Sequence, residues 1–97
     1  MIEDKKLEEL IKLYCEEKKS SIRDLIISKS LPLVRSIIGK INKPNTIHTQ
    51  FEDLENSGII GLIQALDNYN CDMNVQFSTF AYYRIRGSVI DLSLIHI

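Results

Sequence analysis

Apolar residues recur three and four positions apart along nearly the whole chain, and the strict alternation of a half-buried strand is hard to find. The pattern predicts an all-α protein, a compact bundle of about four helices. The first helix runs from about Ile2 to Lys19, with Leu7, Leu10, Ile11 and Tyr14 as its apolar stripe. Glu8 and Lys12 stand four apart, a favourable helical spacing, and most of the charged residues here read as a solvated face. The second helix starts at Ser20 or Ser21, where Ser21 and Asp24 resemble a capping box. Its stripe is Ile22, Leu25, Ile26, Lys29, Leu33, Ile37 and Ile41. Pro32 inside that pattern predicts a kink rather than a break. The helix should stop ahead of Pro44, and residues 42–48 form a polar loop.

Thr49 opens the third helix, with Glu52 completing a T-x-x-E box. Glu52 and Asp53 in its first turn suit the helix dipole. Phe51, Leu54, Gly58, Leu62, Ala65, Leu66 and Tyr69 make the buried stripe. Gly58 and Gly61 each cost ~1 kcal/mol against Ala in a helix. Their presence predicts close approach of another helix. Residues 68–76 are a loop in which Asn74 suits a left-handed position. Ser78 or Thr79 caps the fourth helix. Its inner face is Phe77, Ala81, Ile85, Ser88, Val89 and Leu92, and Phe80, Tyr83, Arg84 and Gly87 fall on a neighbouring face.

Length and charge narrow the function. The 97 residues make one domain at most, with no room for a separate catalytic domain. A net charge of -1 excludes a generic polyanion binder. Lys and Arg are absent from Asn45 through Tyr83, where Glu52, Asp53, Glu55, Asp67 and Asp72 fall. Cys15 and Cys71 lie far apart in sequence and form no C-x-x-C motif, so the plain reading is a reduced, cytoplasmic chain. The first ten residues are charged from Glu3 onward and lack the apolar core of a signal peptide. No apolar run approaches membrane-spanning length, so no membrane partner is expected.

Catalytic residues are not expected. His48 and His96 have no partner pattern for nucleophilic chemistry. The Glu52, Asp53 and Glu55 cluster is explained by the helix dipole and solvation without a metal, and no cofactor is implied. The fourth helix is more informative, since residues 77–86 hold four aromatics and two arginines. Phe80 and Tyr83 can present rings side by side, as on platforms that stack unpaired bases at roughly 1–3 kcal/mol each. Arg84 and Arg86 can reach phosphates. The alternative is that Phe77, Phe80 and Tyr82 are core, and residue types alone leave both readings open.

DLENSGIIGLIQALDNYN followed by VQFSTFAYYRIRGSVID resembles region two of bacterial RNA polymerase sigma factors. LPLVRSIIGKI, at 31–41, resembles the preceding helix of that region, and Arg84–Gly87 (RIRG) points towards the flagellar and sporulation types. The resemblance covers about 21–91. It implies that the third helix docks on the coiled-coil clamp helices of the polymerase β′ subunit through Asp53, Leu54, Asn56, Ser57, Ile60 and Leu62. The acidic stretch suits a basic coiled coil. It further implies that Phe77, Thr79, Phe80, Tyr83, Arg84 and Arg86 recognise and open the promoter minus-ten element. Phe80 would stack on a flipped non-template base, Phe77 and Thr79 would line its pocket, and the arginines would lie near the backbone. The partners implied are core RNA polymerase, promoter DNA within the holoenzyme only, and an anti-sigma factor. Where the family often has Arg-Gly, Met73 and Asn74 stand here, and Met73 cannot contact a phosphate.

After Asp91 the family's helix continues with charged residues, whereas LSLIHI follows here. The expected organisation is an upstream helix at 1–20, a region-two domain at 21–91 and an atypical or truncated tail at 92–97. A truncated factor, a gene fragment or an assembly artefact in the last six residues would each give that tail. The competing function is a non-initiating interaction fragment that occupies core polymerase or an anti-sigma factor. A major-groove helix-turn-helix is disfavoured by the long loop at 68–76 and the aromatic character of the fourth helix.

Overall fold

A computed structural model of the chain describes residues 2–41 and 51–95, with side chains described within 6–41 and 51–92. Four helices follow one another: α1 (Ile2–Glu17), α2 (Ser20–Ile41), α3 (Phe51–Asn68) and α4 (Phe77–Ile95). The described residues contain no strand, and the all-α expectation holds. The Thr49 cap, Pro44 and His48 lie outside the described residues, as does His96.

Each helix buries one stripe, and the stripes meet in a single core. Leu7 and Ile11 enter it from α1, Ile26, Val34, Ile37 and Ile38 from α2, Leu54, Leu62 and Leu66 from α3, and Phe77, Ile85 and Val89 from α4. α3 and α4 pack most extensively, α2 lies against both, and α1 covers α2 and part of α4. α2 continues as a helix through Pro32, which lies on its exposed side. α4 runs on past Asp91, and Leu92 packs against the core.

The two α3 glycines make this packing possible. A Cβ on Gly61 would stand 2.7 Å from the Arg84 carbonyl oxygen and 3.0 Å from the Ile85 Cα, both backbone atoms of α4. A Cβ on Gly58 would meet Val34 Cγ1 at 2.7 Å. The helix propensity surrendered at these positions is exchanged for close contact, as the sequence predicts. Ser57 Oγ donates to the Ser88 carbonyl at 2.8 Å, adding a polar tie between the same two helices.

Several expectations are corrected. Leu25 is 49% exposed and Phe51 46% exposed, and Lys29 faces solvent. The α2 stripe is rotated towards Ser30, Val34 and Ile38, because α2 must face both α3 and α4. Ser30 Oγ is buried there without a hydrogen-bond partner. α2 begins at Ser20, one of the two expected starts, but the Ser21 capping box does not form: the Lys19 carbonyl accepts from Ile22 N at 3.1 Å and Arg23 N at 3.0 Å. Ser21 is therefore inside the helix rather than at its cap. Asn74 is not left-handed. Among the described residues the positive φ outside glycine belongs to Lys18, at 55°, where the chain turns from α1 into α2. Cys15 and Cys71 are not separate thiols: α1 runs beside the loop before α4, and the two form a disulfide with Cα atoms 6.3 Å apart.

Candidate functional site

The α3 surface follows from helical spacing. Asp53, Asn56 and Ile60 recur at steps of three and four on the side opposite the buried stripe. All three are exposed, and Ile60 is 56% accessible, a large apolar residue within a polar row. Leu54 and Leu62 are core residues, not contact residues: their side chains point inward because they sit a quarter to a half turn round the helix from that row. Ser57 is half-buried at the α4 border and already engaged with Ser88.

The acidic stretch is partly neutralised by α2. Arg35 Nε donates to Glu55 Oε2 at 2.6 Å, and Arg23 donates to Asp67 Oδ1 at 2.6 Å and Tyr14 Oη at 3.3 Å. The Asp67 hydrogen bond, followed by that of Tyr14, raises the Arg23 pKa above its ordinary value. Glu52 and Asp53 remain as exposed carboxylates of the α3 first turn. Among the described residues no group of three or more His, Cys, Asp or Glu is placed to hold a metal ion.

On α4 the aromatics separate by depth. Phe77 is 0% exposed, so it belongs to the core and cannot line a base pocket. It meets the edge of Tyr69 with ring centroids 5.3 Å apart. Phe80 is half-buried, 5.5 Å from the Tyr69 ring on one side, with the Arg84 guanidinium 5.8 Å from its centroid. Tyr83 is 67% exposed and lies edge-on to Tyr82. Thr79, Tyr83 and Arg86 form one exposed row, and Phe80 with Arg84 forms the row beside it. Gly87 adds open space next to these rings, with nothing near its Cβ position. The structure thus brings together Thr79, Phe80, Tyr83, Arg84 and Arg86, and removes Phe77.

Two residues support the aromatic helix in ways that the sequence did not signal. The first is Glu8, whose carboxylate accepts from Phe77 N at 3.4 Å and Ser78 N at 3.3 Å. α4 begins at Phe77, so neither Ser78 nor Thr79 caps it; α1 supplies an acceptor for its first amides instead. The second is Tyr69, which props Phe80 and donates through its hydroxyl to the Val75 carbonyl at 2.6 Å. Burial, and then the Glu8 carboxylate, raise the Tyr69 pKa, so the phenol stays a donor. The loop is also shaped by Asn70, whose Oδ1 accepts from Asp72 N at 2.9 Å and whose carbonyl accepts from Met73 N at 2.9 Å. That Asx turn serves where a left-handed Asn74 was expected.

The two surfaces are mechanically joined. Ile60 is followed by Gly61, the residue that lets α3 touch the backbone of α4 at Arg84. A partner seated on the α3 row would therefore sit on the element that fixes the position of the aromatic row.

Residues 26–93 match the family model described as Sigma-70 region 2. The RNA polymerase sigma factor FliA of Pseudomonas aeruginosa is 30% identical over a stretch covering 84% of this chain and 33% of its own length. The RNA polymerase sigma-D factor of Bacillus subtilis is 33% identical, covering 78% of this chain and 30% of its own. The sigma-G factor of Clostridium acetobutylicum is 32% identical, covering 92% and 33%. The chain spans about a third of the length of these relatives. No solved structure matches it. No described helix is long and apolar enough to cross a membrane.

Proposed function

Because the chain belongs to the sigma-70 region 2 family, a family of non-enzymatic initiation factors, we propose that it docks on core RNA polymerase through α3 and captures an unstacked promoter base on α4. Asp53, Asn56 and Ile60 make the docking contact with the β′ clamp helices. Phe80 receives the flipped non-template base of the minus-ten element and Tyr83 supports the edge of the duplex, with Thr79 at the pocket edge and Arg84 and Arg86 near phosphates. Such a chain works in the cytoplasm, where the polymerase is. An anti-sigma factor would compete for the same α3 row.

The observation that carries this reading is the exposure of Tyr83 beside a half-buried Phe80 held from below by Tyr69. A ring already immobilised by its neighbours loses little further freedom when a base stacks on it. The energies then set the division of labour. Flipping a base costs a few kcal/mol, and each aromatic platform returns roughly 1–3 kcal/mol. Opening further pairs costs about 1.4 kcal/mol per step. The platforms offset the first flip and not a whole bubble. With a net charge of -1, counterion release adds little affinity. The chain is thus expected to open DNA only on the polymerase, which supplies the basic channel.

The test is reactivity of promoter thymines to a single-strand-specific oxidant with the chain alone, core polymerase alone, and both together. Reactivity in the minus-ten element should need both components and should be lost with Phe80→Ala. Opening by the isolated chain, or opening that survives Phe80→Ala, would overturn the reading. Docking that persists while no opening occurs with the unaltered chain would favour the interaction-only alternative.

A further inference from the structure

The Cys15–Cys71 disulfide joins α1 to the loop that leads into the aromatic helix, across 56 residues of sequence. Its Cα separation of 6.3 Å lies in the ordinary range for a bridged pair. Cys71 is exposed and Cys15 half-buried, so a small thiol can reach the bond from the loop side. The same helix, seven residues earlier, places Glu8 on the first two amides of α4. α1 therefore grips the loop at Cys71 and the start of α4 at Phe77 and Ser78. Its other hold is Leu7 and Ile11 in the core, with Leu10 and Tyr14 at the margin. Removing the covalent grip leaves the Glu8 carboxylate as the hold of α1 on the first turn of α4, beside the core packing of Phe77 and the contacts of Tyr69 with Phe77 and Phe80.

We propose that Cys15 and Cys71 are a reversible thiol–disulfide switch that sets how firmly α1 holds the loop and the first turn of the aromatic helix. In the closing direction the Cys71 thiolate attacks a low-molecular-weight disulfide of the glutathione type and releases one small thiol. The Cys15 thiolate then attacks the Cys71 sulfur and releases the second. The pair loses two electrons to the small disulfide, and the two protons leaving the protein thiols are taken up by the two departing thiolates. Opening is the reverse, driven by two small thiols. In a thiol-rich compartment the open form prevails, and the closed form accumulates under oxidation. What the switch does to promoter opening rests on the proposed function; the switch itself does not.

The test uses the full chain equilibrated across ratios of oxidised to reduced glutathione, with free thiols trapped by alkylation and counted by mass. Amide hydrogen exchange is measured on the oxidised and reduced chain and on Cys15→Ser and Cys71→Ser variants. Opening the bond should speed exchange across 69–80 by roughly tenfold, while the amides of α2 and the middle of α3 keep their protection. Both serine variants under reducing conditions, and the double variant Cys15→Ser with Cys71→Ser whatever the oxidant, should exchange like the reduced chain. Equal protection of 69–80 in both forms would make the bond a passive staple and overturn the proposal. Loss of protection in α2 and α3 on reduction would overturn it too, since the bond would then hold the whole fold. A bond that forms at no glutathione ratio would do the same. No polymerase or DNA enters this experiment, so its failure and that of the promoter-opening test are independent.

Discussion

α3 and α4 present their surfaces in different ways. On α3 the exposed row of Asp53, Asn56 and Ile60 lies opposite Leu54, Leu62 and Ala65, and counting in threes and fours separates the two sides. On α4 apolar or aromatic residues stand on nearly every side. Spacing puts Phe77 with Ala81, Ile85 and Val89 on the inner face, and packing sorts the other aromatics, with Phe80 at the boundary beside Tyr69 and Tyr83 in solvent. An amphipathic helix declares its surface through its period. A helix whose aromatics spread over more than one face declares the depth of each ring only once its neighbours are known.

The largest effect should come from exchanging roles along α4. Phe77→Ala removes a fully buried ring and is expected to cost about 3–5 kcal/mol in denaturant unfolding. Tyr83→Ala should stay within about 0.5 kcal/mol. Equal losses would break the division between the two rings. Next comes the glycine comparison. Gly61→Ala drives a methyl into the α4 backbone and should destabilise by about 1–3 kcal/mol in thermal melts. Gly87→Ala meets open space and should stabilise by up to about 1 kcal/mol.

Smaller effects test what supports α4. Glu8→Ala should cost about 1 kcal/mol, the size of a lost helix cap, and Glu8→Gln less, read from unfolding midpoints. Insensitivity to Glu8→Ala would mean that α4 starts without help from α1. The smallest effect is alkaline. The Tyr69 pKa is raised in the folded state, so its contribution is complete below the ordinary tyrosine value of about 10 and is lost as pH rises through the raised value. The stability difference between the chain and Tyr69→Phe should shrink across that window. A difference constant with pH would contradict it.

Helix number and type were legible because the periodicity of α1, α2 and α3 is local. So was the meaning of Gly58 and Gly61, whose poor helix propensity called for a reason. Beyond the local misplacement of the Ser21 cap and of the turn residue Asn74, the errors share one cause. Glu8 lies 69 residues from Phe77, and Cys15 lies 56 from Cys71, and no local pattern encodes such partners. Leu25 and Phe51 fit helical spacing yet fall where no neighbour covers them. Glu55 and Asp67 counted as part of an acidic surface until α2 placed Arg35 and Arg23 against them. Of the candidate site, helical spacing already put Leu54 and Leu62 in the buried stripe and Phe77 on the inner face, and their depth leaves Asp53, Asn56, Ile60 and Tyr83 with surface to offer a partner.

The central claim is that docking and base capture occupy separate faces. Its most direct test is binding of the chain and of its Asp53→Ala and Phe80→Ala variants to purified β′ clamp helices, run beside promoter opening by the reconstituted holoenzyme. Asp53→Ala should lose both docking and opening, and Phe80→Ala should keep docking and lose opening. A folded Phe80→Ala variant that no longer docks, or an Asp53→Ala variant that docks as tightly as the unaltered chain, would contradict the account.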